Sequence, residues 1–140
     1  MALILNEALG YCTPMDAGQR RRERGQQGER EAEQFLAAQH YAIIAKNYRS
    51  PFGEVDLIAV DRQTLVFIEV RTHTGVTFGD PLASVNARKQ RQIAKTALHY
   101  LSRYGLYHRE ARFDVIGIQW DGERPHFTHV KGAFDLPPSL

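Results

Sequence analysis

The chain has 140 residues, 43% hydrophobic and 24% charged, the composition of one ordinary globular domain rather than of a disordered or fibrous chain. No apolar run approaches the roughly 18 residues of a membrane span, and the single cysteine, Cys12, excludes an intrachain disulfide and a cysteine-built zinc site. The formal net charge of +2 is too small to name a partner class.

Residues 1–25 read as a loose, flexible leader. The opening Met1–Glu7 has no basic region and its apolar stretch ends at Asn6, so it is not a secretory signal and a cytoplasmic location is expected. One domain is expected over residues 26–136, with 137–140 as a tail. A helix is predicted from Gly28 to Gln39, with Ala32, Phe35, Leu36 and Gln39 on one face and Glu29, Glu31 and Glu33 near its start, where acids suit the helix dipole. His40–Asn47 reads as a strand and Ser50–Gly53 as a turn. Glu54–Val60 and Leu65–Arg71 are the two strongest strand signals, joined by the hairpin-length Asp61–Thr64. Thr72–Pro81 is polar and glycine-bearing, a loop. Asn86–Arg103 is a long amphipathic helix with Ile93, Ala97, Tyr100, Leu101 and Tyr104 as its apolar stripe. Phe113–Trp120 is a further strand, Asp121-Gly122 a hairpin turn, and Pro125–Val130 a short edge strand. The order α-β-β-β-α-β-β predicts an α/β fold, a mixed central sheet flanked by helices.

The cations are unevenly placed. Arg88, Lys89, Arg91, Lys95, Arg103, Arg109 and Arg112 face one acid, Glu110, between Asn86 and Arg112, and Arg20, Arg21, Arg22 and Arg24 form a second group. Clusters of this kind suit a localised polyanion contact, and equally a solvated helix face.

The sharpest anomaly lies in the two central strands, which should be buried and yet carry carboxylates. Glu54 and Asp56 share one strand face, and Glu69 and Arg71 share a face of the next. A charge in a central strand is expensive unless it is paired or metal-bound. In a hairpin, Asp56 and Glu69 converge; two carboxylates plus carbonyl oxygen suit Mg²⁺ or Mn²⁺, whereas a Glu69–Arg71 ion pair or a solvent-facing turn edge accounts for them without a metal. Glu29 on the first helix and Gln90, with Lys89 beside it, on the second point polar groups at the same region. The six histidines are scattered, His73 being the one nearest to these acids in sequence.

Gly53-Glu54-Val55-Asp56-Leu57-Ile58, followed after a gap by Phe67-Ile68-Glu69-Val70-Arg71, resembles the PD-(D/E)xK nuclease motif. Within that superfamily the chain resembles the YraN-like family of predicted endonucleases, relatives of archaeal Holliday-junction resolvases. The similarity extends to Gly28-Glu29-x-x-Ala32, His40-Tyr41-x-Ile43-Ile44-Ala45-x-Asn47-Tyr48-Arg49, Phe78-Gly79-x-Pro81, Lys89-Gln90 and Arg112-Phe113-Asp114-Val115. It implies a restriction-endonuclease-like fold and Mg²⁺- or Mn²⁺-dependent hydrolysis of DNA, branched or recombining DNA included, by a homodimer. It implies that Asp56, Glu69 and the Val70 carbonyl bind the metal, that Glu29 completes the site, and that Gln90 or Lys89 positions water or phosphate; Glu54 and His73 are candidate accessory groups from their places beside these acids in the chain. Arg88, Lys89, Arg91 and Lys95 would hold the nucleic acid. Arg71 departs from the superfamily's lysine. Arginine stays protonated and cannot serve as a base, though it can grip a phosphate. Two other readings remain: a nucleic-acid-binding module that kept the scaffold without turnover, and an interaction protein with no nucleic-acid role.

Overall fold

The computed structural model describes residues 3–6, 11–14, 17–74, 79–138 and 140. Strands β1 (Leu3–Asn6) and β2 (Tyr11–Pro14) form an antiparallel pair. Helix α1 (Ala17–Ala38) is followed by strands β3 (Ala42–Ser50), β4 (Gly53–Asp61) and β5 (Thr64–Thr74). A 3₁₀ turn (Pro81–Ser84) leads into helix α2 (Ala87–Arg103), and strands β6 (Ala111–Asp121) and β7 (Arg124–Phe134) complete the chain. The main sheet has five strands in the order β3-β4-β5-β6-β7. Only β5 and β6 are parallel; the other neighbours are antiparallel. The mixed α/β sheet with helices expected from the sequence is therefore present.

Three hairpins of the main sheet have two-residue loops; one joins Ser50 to Gly53, and the other two turn through a residue in the left-handed region. Asp61 pairs with Thr64, with Arg62 at φ +59°, and Asp121 pairs with Arg124, with Gly122 at φ +60°. The second loop is Gly122-Glu123, one residue later than predicted, because the first central position of such a turn favours glycine. The parallel β5–β6 step cannot be a hairpin and needs a crossover, which α2 supplies.

Each sheet face has its own core. Val55, Ile58, Leu65, Phe67, Phe113 and Val115 pack with Ile93, Ala94, Ala97, Tyr100 and Leu101 of α2. Leu57, Ala59, Val66, Ile68, Ile116 and Ile118 pack with Ala32 and Leu36 of α1. Each large apolar side chain so buried stabilises the fold by roughly 1.5–3 kcal/mol, enough in sum to tolerate a buried acid pair at the sheet's centre.

Several boundaries differ from expectation. Helix α1 begins at Ala17, so the predicted leader boundary at residue 25 falls inside a helix, whose Arg24 guanidinium lies 4.3 Å from the Trp120 ring centroid. Glu29, Glu31 and Glu33 are consequently mid-helix and do not meet the N-terminal dipole; Glu33 instead pairs with Lys46 at 3.2 Å. The helix ends at Ala38, and the chain turns out of it through His40, in the left-handed region at φ +70°. The α2 stripe is buried at Ile93, Ala97, Tyr100 and Leu101, but Tyr104 caps the helix and is 53% exposed. Strand β7 has 11 residues rather than six, because Gly132 at φ +59° forms a bulge that lets pairing resume at Phe134. Of the expected loop Thr72–Pro81, Thr72–Thr74 continue β5 and Pro81 opens the 3₁₀ turn, while residues 75–78, with Phe78 of the family motif, lie outside the described residues. Among the described residues no helix is long and apolar enough to cross a membrane.

Candidate active site

The sheet forks where the acids stand. Pairing of β4 with β5 runs from Asp61–Thr64 to Leu57–Ile68 and stops there, while β4 continues to pair with β3 as far as Gly53. The alternation of β4 slips at the same point: Val55 packs on the α2 side and Leu57 on the α1 side. Opposite the slip, between the Lys46–Leu57 and Tyr48–Val55 pairs, Asn47 has φ +50°. The next residue of each diverging strand is a carboxylate, Asp56 or Glu69. The Val70 N–H, no longer paired to β4, donates to Asp56 Oδ2 at 2.8 Å.

Glu69 is buried, 5% exposed. Burial first, then the Asp56 charge, pushes its pKa up to about 8; Lys89 and Arg71 act against the rise. Asp56 is raised too, by burial above all and by Glu54, against the Val70 N–H and the Lys89 charge. The influence of each carboxyl group on the other favours the proton on Glu69. Lys89 Nζ lies 3.7 Å and Arg71 Nη2 3.6 Å from Glu69 Oε1, whereas Glu69 Oε2 and Arg71 Nε are buried without a partner.

Glu29 reaches this fork from α1. Its pKa is raised by burial first and then by Asp56, and lowered by a hydrogen bond from Asn47. With its amide oriented to donate, Asn47 bridges Glu29 Oε2 at 3.2 Å and Glu54 Oε1 at 3.1 Å. Glu54 also accepts from Arg49 Nε at 3.2 Å. Asn47 thus ties two acids of the cluster together. Its signal in the sequence is an asparagine inside a strand, the residue that tolerates φ > 0 at a strand irregularity.

Of the predicted site residues, the structure gathers Glu29, Glu54, Asp56, Glu69, Arg71 and Lys89. Gln90 is held differently: its Nε2 donates to the Val85 carbonyl at 3.0 Å, bracing the start of α2. His73 is exposed at the far end of β5, with no hydrogen bond or ion pair to the acids among the described residues. Arg88 and Arg91 are exposed on α2, and Lys95 lies beside the Phe52 ring. Two cations counted in the basic stretch are committed internally: Arg109 donates to the Gln63 carbonyl and Arg112 is paired with Asp61 and Asp114.

That second polar cluster was not foreseen as a unit. Asp114 is fully buried and accepts from Arg112, His129 and the Gly132 N–H of the β7 bulge. Burial opposes its charge, but these donors together hold its carboxyl below the ordinary range. Arg112 also donates to Tyr41 Oη and Asp61 Oδ2, and so ties the ends of β4, β6 and β7 together.

Among the described residues no three acidic, histidine or cysteine side chains form a ready-made metal cage. Two carboxylates and an open remainder fit Mg²⁺ or Mn²⁺, hard cations that keep several waters. The buried, unpartnered Glu69 Oε2 beside Asp56 is the kind of atom such an ion would satisfy.

A model of Uncharacterised protein family UPF0102 matches residues 28–118, which contain every residue of this fork. The chain belongs to the UPF0102 family. It is 47% identical over 113 residues to a UPF0102 protein of Geotalea uraniireducens, covering 80% of this chain and 89% of the relative. It is 43% identical over 116 residues to that of Moorella thermoacetica (81% and 97% covered) and 44% identical over 115 residues to that of Myxococcus xanthus (82% and 91%). The YraN-like resemblance holds as membership of this family.

Proposed function

We propose that this UPF0102 member is a divalent-metal-dependent nuclease that hydrolyses phosphodiester bonds in DNA, on a restriction-endonuclease-like arrangement of its sheet. The observation that carries the reading is the fork itself: Asp56 and Glu69 held side by side, one by the Val70 N–H and the other between Lys89 and Arg71. A structural ion pair accounts for Glu69 and Arg71 but not for a second carboxylate pressed against the first. Repulsion between such neighbours is relieved by a divalent cation.

Asp56 and Glu69 would hold Mg²⁺ or Mn²⁺, with the Val70 carbonyl as a third oxygen. The ion when bound supplies an acidified water and polarises the phosphate. The protein's own groups do the rest. Asn47 fixes Glu29 and Glu54 behind Asp56, so that the negative side of the site is rigid. Arg71 and Lys89 stand where a scissile phosphate would bring negative charge, and fixed cations there stabilise the charge that grows in the transition state. The ammonium that the superfamily pattern places at position 71 is supplied here by Lys89 from α2. Exposed Arg88 and Arg91 would meet flanking phosphates.

Arg71 also motivates the second reading, a binding module without turnover. One experiment separates them: wild type and Glu69→Ala against four-way junction, flap, single-stranded and duplex DNA, each with Mg²⁺, Mn²⁺ or EDTA. Metal-dependent cutting that the variant lacks supports the nuclease. Salt-sensitive binding with no cutting in either metal overturns it in favour of the binding module, and neither binding nor cutting overturns both.

A further inference from the structure

The β3–β4 turn carries an exposed aromatic that the proposed chemistry does not use. Phe52 is 49% exposed. Single exposed hydrophobics are ordinary on a mobile loop, but this turn is fastened. Ser50 Oγ lies 3.1 Å from Oγ1 of the buried Thr96 on α2, and the Phe52 N–H donates to the same Ser50 Oγ at 3.1 Å. Gly53 has φ +151°, and a Cβ there would stand 3.4 Å from Gln92 Cβ, so the turn rests closely on α2. The Phe52 ring is therefore presented outward from a fixed backbone, with Lys95 Nζ 5.7 Å from its centroid and the exposed Arg49 three residues before it.

The surroundings give the ring a direction. Arg88, Arg91 and Lys95 are spaced i, i+3, i+7 and lie along one face of α2. That line of cations begins beside Lys89, which touches Glu69, and ends at Phe52. Six helical residues from Lys89 to Lys95 span about 9 Å, roughly three nucleotides of a stacked strand at about 3.4 Å each. Phe52 precedes Asp56 by four residue steps, a backbone path of about 13 Å. A fixed aromatic at the end of a cationic track is how single-stranded nucleic acid is held, since every base offers a face to stack. A base inside a duplex has both faces covered and offers none.

Resting on the nucleic-acid reading above, we infer that Phe52 is a stacking platform for an unpaired base, so that the site selects DNA with an unpaired nucleotide about three positions from the scissile phosphate. The test is binding, with Ca²⁺ in place of Mg²⁺, of a single-stranded oligonucleotide carrying 2-aminopurine and of its duplex. Wild type should bind the single strand and quench the probe. Phe52→Ala should relieve the quenching and weaken single-strand binding about tenfold more than duplex binding, with an unchanged salt slope because no phosphate contact is lost. Phe52→Trp should retain quenching. Equal binding and quenching by wild type and Phe52→Ala would overturn the inference and leave the nucleic-acid reading standing. Failure of wild type to bind either DNA would overturn that reading itself.

Discussion

Lys89 stands over Glu69, its Nζ 3.7 Å from Oε1, the same oxygen that Arg71 approaches to 3.6 Å. Both separations exceed a good charge-assisted hydrogen bond, so neither cation is fully engaged by the carboxylate. A cation placed for an incoming phosphate has this property. If Lys89 supplies the catalytic ammonium, Lys89→Ala should lower cleavage by about 10²-fold, while Arg71→Lys keeps most activity. Steady-state cutting of the best DNA substrate measures both. A Lys89→Ala variant that cuts like wild type would transfer the role to Arg71.

The Asp56–Glu69 pair makes the metal-free protein sensitive to pH. Glu69 has a folded pKa of about 8 against an ordinary 4.5, so the folded state holds its proton more tightly than the unfolded state. The resulting stability is fully present below about pH 4.5 and is lost as pH rises through 8. Glu69→Gln removes the dependence. It should melt at nearly the wild-type temperature at pH 5 and above it at pH 8.5. Mg²⁺ or Mn²⁺ should raise the wild-type melting temperature at pH 8.5 and leave Glu69→Gln unmoved. Thermal melts at the two pH values, with metal or EDTA, decide the matter; a metal-indifferent wild type would remove Glu69 from the ligand set.

Asp114 has the opposite sign. Its carboxyl is held below 3.8 despite burial, by His129, Arg112 and the Gly132 N–H. Its contribution is present above about pH 3.8 and is lost as pH falls through the lower folded value. Asp114→Asn leaves the half-buried Arg112 facing Asp61 alone, and breaking a buried pair costs up to about 3–5 kcal/mol. Urea unfolding at pH 7 should show that loss, and a smaller gap between variant and wild type at pH 3. An equal gap at both values would place the stability elsewhere in the cluster.

What could be read from the sequence depended on whether the cause was local. The strands around Ile58 and Phe67 carry continuous apolar runs, and α2 carries a clean 3.6-residue stripe, so each announced itself. The acids were legible because Glu69 interrupts an apolar strand. The start of α1 was not legible: its first half has almost no apolar residue to mark a face, and Trp120, which receives Arg24, is far away in sequence. The fork was invisible for a different reason. It arises where β4–β5 pairing stops while β3–β4 pairing continues, a relation among three strands that no single window contains. Asn47 and the full Arg112–Asp114–His129 set follow from such long-range pairings. Gln90 reads as a site residue because it lies one turn before the stripe of Ile93 and Ala97, yet the carbonyl of buried Val85 at the entry to α2 accepts from its amide.

Delivery of Glu29 depends on how closely α1 lies on β5. Gly28 is buried, and a Cβ at that position would stand 2.4 Å from Thr72 Oγ1 and 3.5 Å from Ile118 Cδ1. The neighbouring residue on the helix is Glu29, so any shift that relieves this contact moves the carboxylate with it. Gly28→Ala alone gains helix propensity worth about 1 kcal/mol, but the overlap with Thr72 opposes it. A close overlap in a packed site costs about 1–3 kcal/mol. The single variant should therefore be no more stable than wild type and should lose cleavage, because Glu29 is displaced from Asp56 and Asn47. Thr72→Ala removes the obstructing hydroxyl and methyl. Combined with Gly28→Ala, it should recover both stability and cleavage beyond the sum of the single effects, a favourable coupling of about 1 kcal/mol or more in a double-mutant cycle. Simple additivity in urea unfolding would show that α1 does not seat against Thr72. Recovered stability without recovered cleavage would show that Glu29 acts through its charge at a distance rather than through the fixed position that Gly28 gives it.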